Sequence, residues 1–369
     1  MKYKVGSLFA GVGGICLGFK NAKYNGNEYE LVFANEIDEY ACETYRTNFN
    51  HTLLEGDIYK YLDPNLCDDE KERKYYQDRR HFLFDEKIDV LNGGFPCQAF
   101  SIAGEQKGFE DERGNLFLTI VELINQMGKY SQKPRILFLE NVKNLLAHDN
   151  GRTYKVIKAK LEECGYIIKE KVLNTMDFTD LPQNRERIYI VGFLNKEDAD
   201  KFDFFDKADK LKKFKSAEER AKDVKKILEK NITFENAEKY YYTAEKYPHY
   251  FNEDNINLKT SITEFNQFYQ CRRGMYVRKN QSNVCPTLTA NMGTGGHNVP
   301  LILVDDGIRK LTPTETFRLQ GFPVGHGYSL PTMYKGKKFG DSHLYKEAGN
   351  AVSVDVITLL ATEILKVLE

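Results

Sequence analysis

A Cys-x-x-Cys pair occurs nowhere in this chain of 369 residues, and its seven cysteines, at positions 16, 42, 67, 97, 164, 271 and 285, are an odd number. That pattern argues against a disulfide framework and against a thiolate zinc site, so reduced thiols and no bound metal are expected. No stretch reaches the ~18 apolar residues of a membrane span, and Met1-Lys2-Tyr3-Lys4-Val5 opens without the apolar core of a leader. A cytoplasmic protein without membrane attachment is expected. An excess of charge is missing too: 53 Lys and Arg stand against 54 Asp and Glu, a formal net charge of −1. A polyanionic partner would therefore have to be met by a local patch. What is present is 41% hydrophobic content over a length that suggests about two domains.

The stretch Asn92-Gly93-Gly94-Phe95-Pro96-Cys97-Gln98-Ala99-Phe100-Ser101 stands out. Ile88-Asp89-Val90-Leu91 has strand character and runs into two glycines, after which a proline fixes the backbone just ahead of a cysteine. In an open α/β sheet the carboxyl ends of the strands face the ligand crevice, so a thiol just past a strand faces it as well. A free cysteine is more often inert packing, but a plain core position needs no pair of permissive residues followed by a rigid one.

Lys4–Phe9 reads as a first strand, followed by the glycine turn Ala10-Gly11-Val12-Gly13-Gly14 and a helix from Ile15 to Lys20. Strand, glycine turn and helix open a nucleotide-binding unit, although tight βα turns also use glycine for steric reasons alone. A second strand, Tyr29–Asn35, ends in Glu36, at the ~20-residue distance where an acid takes up ribose hydroxyls. In Glu55-Gly56-Asp57-Ile58, the aspartate could accept from an adenine amino group while the isoleucine packs on the ring. The charged stretch from Asp63 to Glu86 reads as a solvated loop or surface helix without chemistry. The polar segment from Gln106 to Gly114 could close over a substrate, ahead of a helix from about Asn115 to Met127.

Arg135-Ile136-Leu137-Phe138-Leu139 is the apolar run of a strand buried on both faces, and it delivers Glu140 to the same edge as Cys97. A helix from Thr153 to Cys164, a strand from Tyr166 to Leu173 and a strand from Ile188 to Phe193 complete an α/β alternation, read as a doubly wound, mostly parallel sheet. Composition changes near Asn195. Residues 196–342 are expected to form a second, smaller and irregular domain with little regular core. The first domain, 1–195, would be completed by a C-terminal helix within 343–369. In the second, Gln270–Lys279 gathers Arg272, Arg273, Arg278 and Lys279. Arg suits guanine edges and Lys suits phosphates, though ordinary surfaces hold such clusters too. Thr312 with Pro313 marks a helix start, and Asn350 is placed near the start of a last amphipathic helix.

Taken together, Phe9–Gly14, Asn35-Glu36, Gly56-Asp57-Ile58, Gly94–Ser101, Glu140-Asn141-Val142, Gln183–Arg187, Leu319–Pro323 and Gly349–Val352 resemble the DNA (cytosine-5) methyltransferases of bacterial restriction-modification type, in an order spread over most of the chain. The resemblance implies a Rossmann-like S-adenosylmethionine-dependent methyltransferase fold and makes 196–342 the target-recognition domain, with Thr287-Leu288 resembling the family's Thr-Leu pair. Two positions depart from the family pattern: Ile37 stands where relatives often have Trp, and Ala351 where they have Ser.

The same resemblance implies the chemistry. Cys97 is the nucleophile that adds to carbon 6 of a cytosine turned out of the duplex. Glu140 holds a proton at ring nitrogen 3, a role that calls for a dry pocket, and Arg187, helped by Arg185, contacts the ring carbonyl. Phe9, Gly11, Gly14, Glu36, Ile37, Asp57, Ile58, Pro96, Asn350 and Val352 are the expected cofactor contacts, with S-adenosylhomocysteine as product. Arg272, Arg273, Arg278, Thr287 and Leu288 are the expected DNA contacts. A monomer acting on double-stranded DNA follows, with a restriction endonuclease cutting the same site without direct contact. Three rivals stand beside this: a tRNA cytosine-5 methyltransferase on the same scaffold, a nicotinamide-dependent oxidoreductase, and a silent DNA-binding module. Against the second, Gly11-Val12-Gly13-Gly14 lacks the Gly-x-Gly-x-x-Gly spacing of a pyrophosphate site.

Overall fold

The apolar runs read from the sequence become the strands of one sheet, most of them hydrophobic enough to be covered on both faces. The computed structural model describes residues 1–95, 116–130, 132–253, 256–272, 274–293 and 299–369. Contacts divide the chain into two units. The first holds Met1–Leu173, Glu186–Leu211 and Val356–Glu369, and the second holds Asn174–Arg185 and Lys212–Asp355.

In chain order the strands are β1 (Lys2–Leu8), β2 (Lys23–Tyr24), β3 (Asn27–Glu36), β4 (Thr52–Glu55), β5 (Val90–Gly94), β6 (Ile136–Val142), β7 (Ile167–Asn174), the short β8 (Gln183–Asn184) and β9 (Glu186–Phe193). The sheet runs β2-β3-β1-β5-β6-β9-β7, with β4 paired to β3. β1 pairs in parallel with β3 and β5, β5 with β6, and β3 with β4. β9 is antiparallel to β6. The expected mostly parallel sheet is therefore present, and the reversal at β9 is its informative exception.

Helices α1 (Gly14–Asn21), α2 (Glu39–Asn48), α3 (Ile58–Leu62), α4 (Glu70–Arg80), α5 (Leu116–Tyr130) and α6 (Arg152–Glu163) fill the crossovers. A core of Leu8, Leu91, Leu137, Leu139, Ile188 and Ile190 from the sheet packs against Ile120, Leu123 and Ile124 of α5 and Ile157 and Leu161 of α6. The last helix, Val354–Leu368, packs against α1: a Cβ on Gly18 would stand 2.5 Å from Ile357. The hydroxyls of Tyr3 and Tyr29 donate to the carbonyls of Leu368 and Ala361.

The second unit departs from the irregular domain expected. It holds an antiparallel sheet of four-residue strands in the order Tyr276–Lys279, Tyr269–Arg272, Leu301–Val304 and Gly307–Lys310, over a core that includes Tyr250, Leu258, Ile262, Leu301 and Ile308. Strands this short, with cations among them, do not display the alternation that betrays a strand. Arg309 and Glu315 form a bidentate ion pair at 2.7 and 2.6 Å, with side chains 1% and 0% exposed. Glu315 also accepts from the Thr312 N–H, closing the capping box of helix Pro313–Leu319. Removing one partner would leave the other charged and buried.

The C-terminal region also departs from expectation. Two helices form, Asp341–Asn350 and Val354–Leu368, so Asn350 ends one rather than beginning the next.

A polar thread runs through the first unit. The hydroxyl of Tyr45 donates to Cys16 Sγ at 3.1 Å and Cys16 donates to Ser7 Oγ at 3.1 Å. With its proton thus committed, Tyr45 accepts from His51 Nε2 at 2.6 Å. Burial, with the Lys20 charge adding, pushes the His51 imidazole down to about 4. An unfolded chain titrates this histidine at ~6.5, so between these values the unfolded state holds the extra proton and stability falls as pH falls. The expected loss from this group is about 2 kcal/mol between pH 7 and pH 5. Urea unfolding of the parent and of His51→Gln at both pH values checks it: the variant should lose less stability on acidification, and an equal loss would refute the assignment.

Candidate active site

Parallel β1, β3, β5 and β6 all end at one edge of the sheet, and antiparallel β9 begins there. Glu140 sits opposite Gly94 on one side and Tyr189 on the other, while Arg187 is opposite Val142. Arg187 and Tyr189 share a face, so Arg187 is the diagonal neighbour of Glu140. Arg187 Nε stands 3.0 Å from Glu140 Oε1, with both side chains largely buried. The pair is close in distance but lacks hydrogen-bond geometry, which leaves Oε1 without a hydrogen-bond partner among the described residues. On the other oxygen, a Cβ at position 94 would stand 3.4 Å from Oε2. Glycine there leaves the carboxylate room.

Asn141, the next residue, turns its amide the other way. Its Nδ2 donates to the Phe95 carbonyl at 2.8 Å and its Oδ1 accepts from the Val142 N–H at 2.8 Å. Asn141 thus fixes the last described residue before Pro96 and Cys97, which both lie outside the described residues, as do Arg273 and the segment 106–114. Sequence reasoning assigned Asn141 no role; only its place beside Glu140 hinted at one.

At the same edge, Gly11 adopts a left-handed φ of +54°, and nothing stands within 4 Å of where a Cβ would be. Its N–H donates to Glu36 Oε2 at 2.7 Å, while Glu36 Oε1 accepts from the N–H groups of Ile37 and Asp38, both at 2.8 Å. Burial pushes the Glu36 carboxyl up, and these three donors act against the shift. Each carboxylate oxygen has two lone pairs, so Oε2 keeps acceptor capacity. Phe9 also takes a positive φ, 52°, and packs partly buried against the core. The first turn of α1, beginning at Gly14, carries no side-chain cap and no acidic residue. Its N–H groups suit an anion.

Asp57 caps α3 by accepting from the Tyr59 N–H, and its own N–H donates to Tyr76 Oη at 3.1 Å. Tyr76 lies in α4, inside the charged stretch to which sequence reasoning assigned no chemistry, and it steadies the Gly56-Asp57 corner. Ile58 departs from its expected place against a ring: it is 2% exposed and packs in the core. Ile37, 67% exposed, is the apolar side chain left open beside Glu36.

Arg185 belongs to the second unit and also departs from expectation. It is 2% exposed and donates to the carbonyls of Leu288 at 3.1 Å, Gly349 at 3.2 Å and Ala351 at 2.5 Å. A guanidinium so enclosed offers no edge to a base; it holds three carbonyls on two backbone segments, with Asn350 between two of those carbonyls. Leu288 is buried, Val352 is buried, and Thr287 donates to the Asn184 carbonyl. Arg272 and Arg278 lie on the two strands of one hairpin.

An open, mostly parallel α/β sheet with a glycine turn, a buried acid and a carboxylate-guanidinium pair at its carboxyl edge has the architecture of an enzyme that binds its ligands at the ends of its strands. Residues 3–366 match the family described as C-5 cytosine-specific DNA methylase, and the chain belongs to that family. It is similar to Type II methyltransferase M.Bsp6I of Bacillus sp. (strain RFL6), 44% identical with 98% of each chain covered. To Type II methyltransferase M.HaeII of Haemophilus aegyptius it is 36% identical, covering 98% of this chain and 92% of the relative. Among solved structures, S. pombe Dnmt2 methyltransferase shares the fold over 100% of both chains, with a TM-score of 0.64 at 18% identity. The chain is a DNA (cytosine-5) methyltransferase. Among the described residues no helix is long and apolar enough to cross a membrane, and no group of three or more His, Cys, Asp or Glu is placed to hold a metal.

If Arg185 is a backbone tie, Arg185→Met should cost about 3 kcal/mol of stability, by leaving three carbonyls without their charged donor. A fall in melting temperature checks this. A variant as stable as the parent but slow in catalysis would return Arg185 to the chemistry.

Proposed function

We propose that the protein transfers the methyl group of S-adenosylmethionine to carbon 5 of a cytosine turned out of a specific duplex sequence, through a covalent Cys97 adduct. The observation that carries the reading is the Glu140–Arg187 pair at the sheet edge. Two partly shielded groups of opposite charge, held close without a hydrogen bond between them, are available to a third partner.

The cofactor's fit rests on the open space over Gly11, the spare acceptor of Glu36 and the uncapped start of α1. Phe9, Gly11, Gly14, Glu36, Ile37 and Asp57 would hold it, with Pro96, Asn350 and Val352 as further candidates. When bound it supplies an electrophilic sulfonium methyl. Carbon 5 of cytosine is a weak nucleophile, and the protein's task is to make it a strong one. The Cys97 thiolate forms a bond to carbon 6, the electrons of the 5,6 double bond become a 4,5 double bond, and those of the 3,4 double bond go to nitrogen 3, which takes a proton, giving an enamine nucleophilic at carbon 5. Glu140 keeps a proton at nitrogen 3 and accepts from the exocyclic amino group, which selects cytosine. Arg187 donates to the ring carbonyl oxygen, where negative charge gathers. Once carbon 5 is alkylated, loss of its proton restores the double bond and expels the thiolate. None of these ring atoms is reachable inside a duplex, so the base must leave the stack at a cost of a few kcal/mol.

The second unit is assigned to target recognition, with the Tyr269–Lys279 hairpin presenting Arg272 and Arg278, and Met275 and Tyr276 exposed. Protection of host DNA alongside an endonuclease of the same specificity is supported by relatives named Type II methyltransferases. The working form is proposed to be a monomer.

Duplex DNA bearing 5-fluorocytosine at the target should form a trapped covalent complex with the parent and none with Cys97→Ala, because fluorine cannot leave as a proton does. Labelled methyl should go to duplex DNA and not to tRNA; the opposite preference would move the enzyme to the rival substrate class. Changing Arg272 should relax sequence preference by ~1–3 kcal/mol at one base pair. An unaltered target spectrum from bisulfite sequencing would remove Arg272 from base reading.

A further inference from the structure

The second unit holds a cavity of about 860 Å³ whose lining includes Lys222, Lys225, Lys226, Lys230, Arg318 and His326. Its one acid is Glu229, and that side chain is engaged elsewhere: the Thr312 hydroxyl donates to its Oε2. Five permanent cations in the lining, set against Glu229 and the Asp223 that pairs with Lys226, leave a local charge of about +3 in a chain whose net charge is −1.

The origin of the charge lies in helix Ala217–Ile227. One face, with Arg220, Asp223, Val224 and Ile227, is buried, while Lys222, Lys225 and Lys226 lie exposed along it. Arg318 closes the far wall, donating to the carbonyls of Ile227 at 3.2 Å and Val324 at 3.3 Å. Ile227, Ile232 and Val324 supply apolar lining on which lysine stems can lie.

An ordinary account exists for part of this. Cations in a last helical turn oppose the helix dipole, which explains Lys225 and Lys226, and Lys226 also pairs with Asp223 at 2.9 Å. It does not explain Lys222, a turn earlier, or Lys230, beyond the helix end. Lys222 interacts electrostatically with Glu219, one turn earlier on the same helix, whereas Lys225 and Lys230 make no ion pair among the described residues. An excess of cations around one hollow, two of its lysines without an acidic partner among the described residues, favours an anionic occupant.

We propose that this cavity takes backbone phosphates of duplex DNA outside the methylated sequence, as a second and sequence-independent point of attachment to the substrate. The inference rests on the reading that duplex DNA is the substrate. Lysine is suited to the role: a hydrated point charge on a flexible stem meets phosphates without reading bases, whereas the arginines of the hairpin offer bidentate edges. Each phosphate neutralised releases counterions, so the attachment must appear in the salt dependence of binding.

The test is the triple variant K222Q/K225Q/K230Q, with binding to a long duplex that lacks the methylated sequence followed by fluorescence anisotropy across a salt series. The slope of log affinity against log salt should become shallower by roughly 2 to 3, at ~0.9 for each phosphate no longer neutralised. A control triple, K71Q/K155Q/K196Q, removes equal charge from exposed lysines of the first unit and should keep the parental slope. A parental slope in the first variant overturns the proposal, and so does an equal change in both, which would report bulk charge alone. Should the triple variant fold poorly, K230Q, outside any helix, should alone shift the slope by about 0.9. Failure of the underlying reading shows separately, as a parent protein that transfers no labelled methyl to duplex DNA whatever the slopes.

Discussion

Two side chains at the edge of the first unit's sheet meet because one strand runs against the others. Parallel β1, β3, β5 and β6 deliver loops, glycines and carboxylates to a single edge, yet each places its following residues in a crossover that leads away from it. β9 is antiparallel to β6, so it brings its first residues to that edge instead of its last. Arg187 therefore arrives as the diagonal neighbour of Glu140 by backbone register rather than by a loop's choice. A shift of one residue in the β6–β9 register would put Arg187 on the opposite face and leave Glu140 without a countercharge. The register is in turn held by the apolar residues of both strands, which are almost fully buried.

Support at the same edge comes from hydrogen bonds that involve the backbone. Asn141 secures the backbone at Phe95, Tyr76 secures the corner at Asp57, and three N–H groups secure Glu36. Each of these holds a candidate site position by a main-chain hydrogen bond, the kind of constraint that fixes an atom in place. In the second unit, the buried Arg309–Glu315 pair and Arg185 act likewise on backbone segments.

Much of this was readable from the chain. Buried parallel strands are near-continuous apolar runs, and their alternation with helices announced the sheet; Glu36 and Glu140 fell at strand ends, where acids become available to ligands. What escaped reading was set by tertiary contact. Ile58 and Asp57 are adjacent, but only the fold decides that one faces inward and the other caps a helix. Arg185 and Arg187 are two residues apart, yet one ties carbonyls together in the second unit while the other meets a carboxylate in the first. Asn350 was read as lying near a helix start, but no local signal announced the preceding helix, Asp341–Asn350, that ends on it. The four-residue strands of the second unit are too short to show a period.

The placement of the last helix bears on the order in which the protein can be made. The hydroxyls of Tyr3 and Tyr29 reach carbonyls of Leu368 and Ala361, residues more than three hundred positions later. The face of β1 and β3 on which α1 lies is covered by this late helix, so during translation it waits, apolar and open, while the ribosome completes everything between. Contacts of such separation fold slowly and leave adhesive surface on the nascent chain.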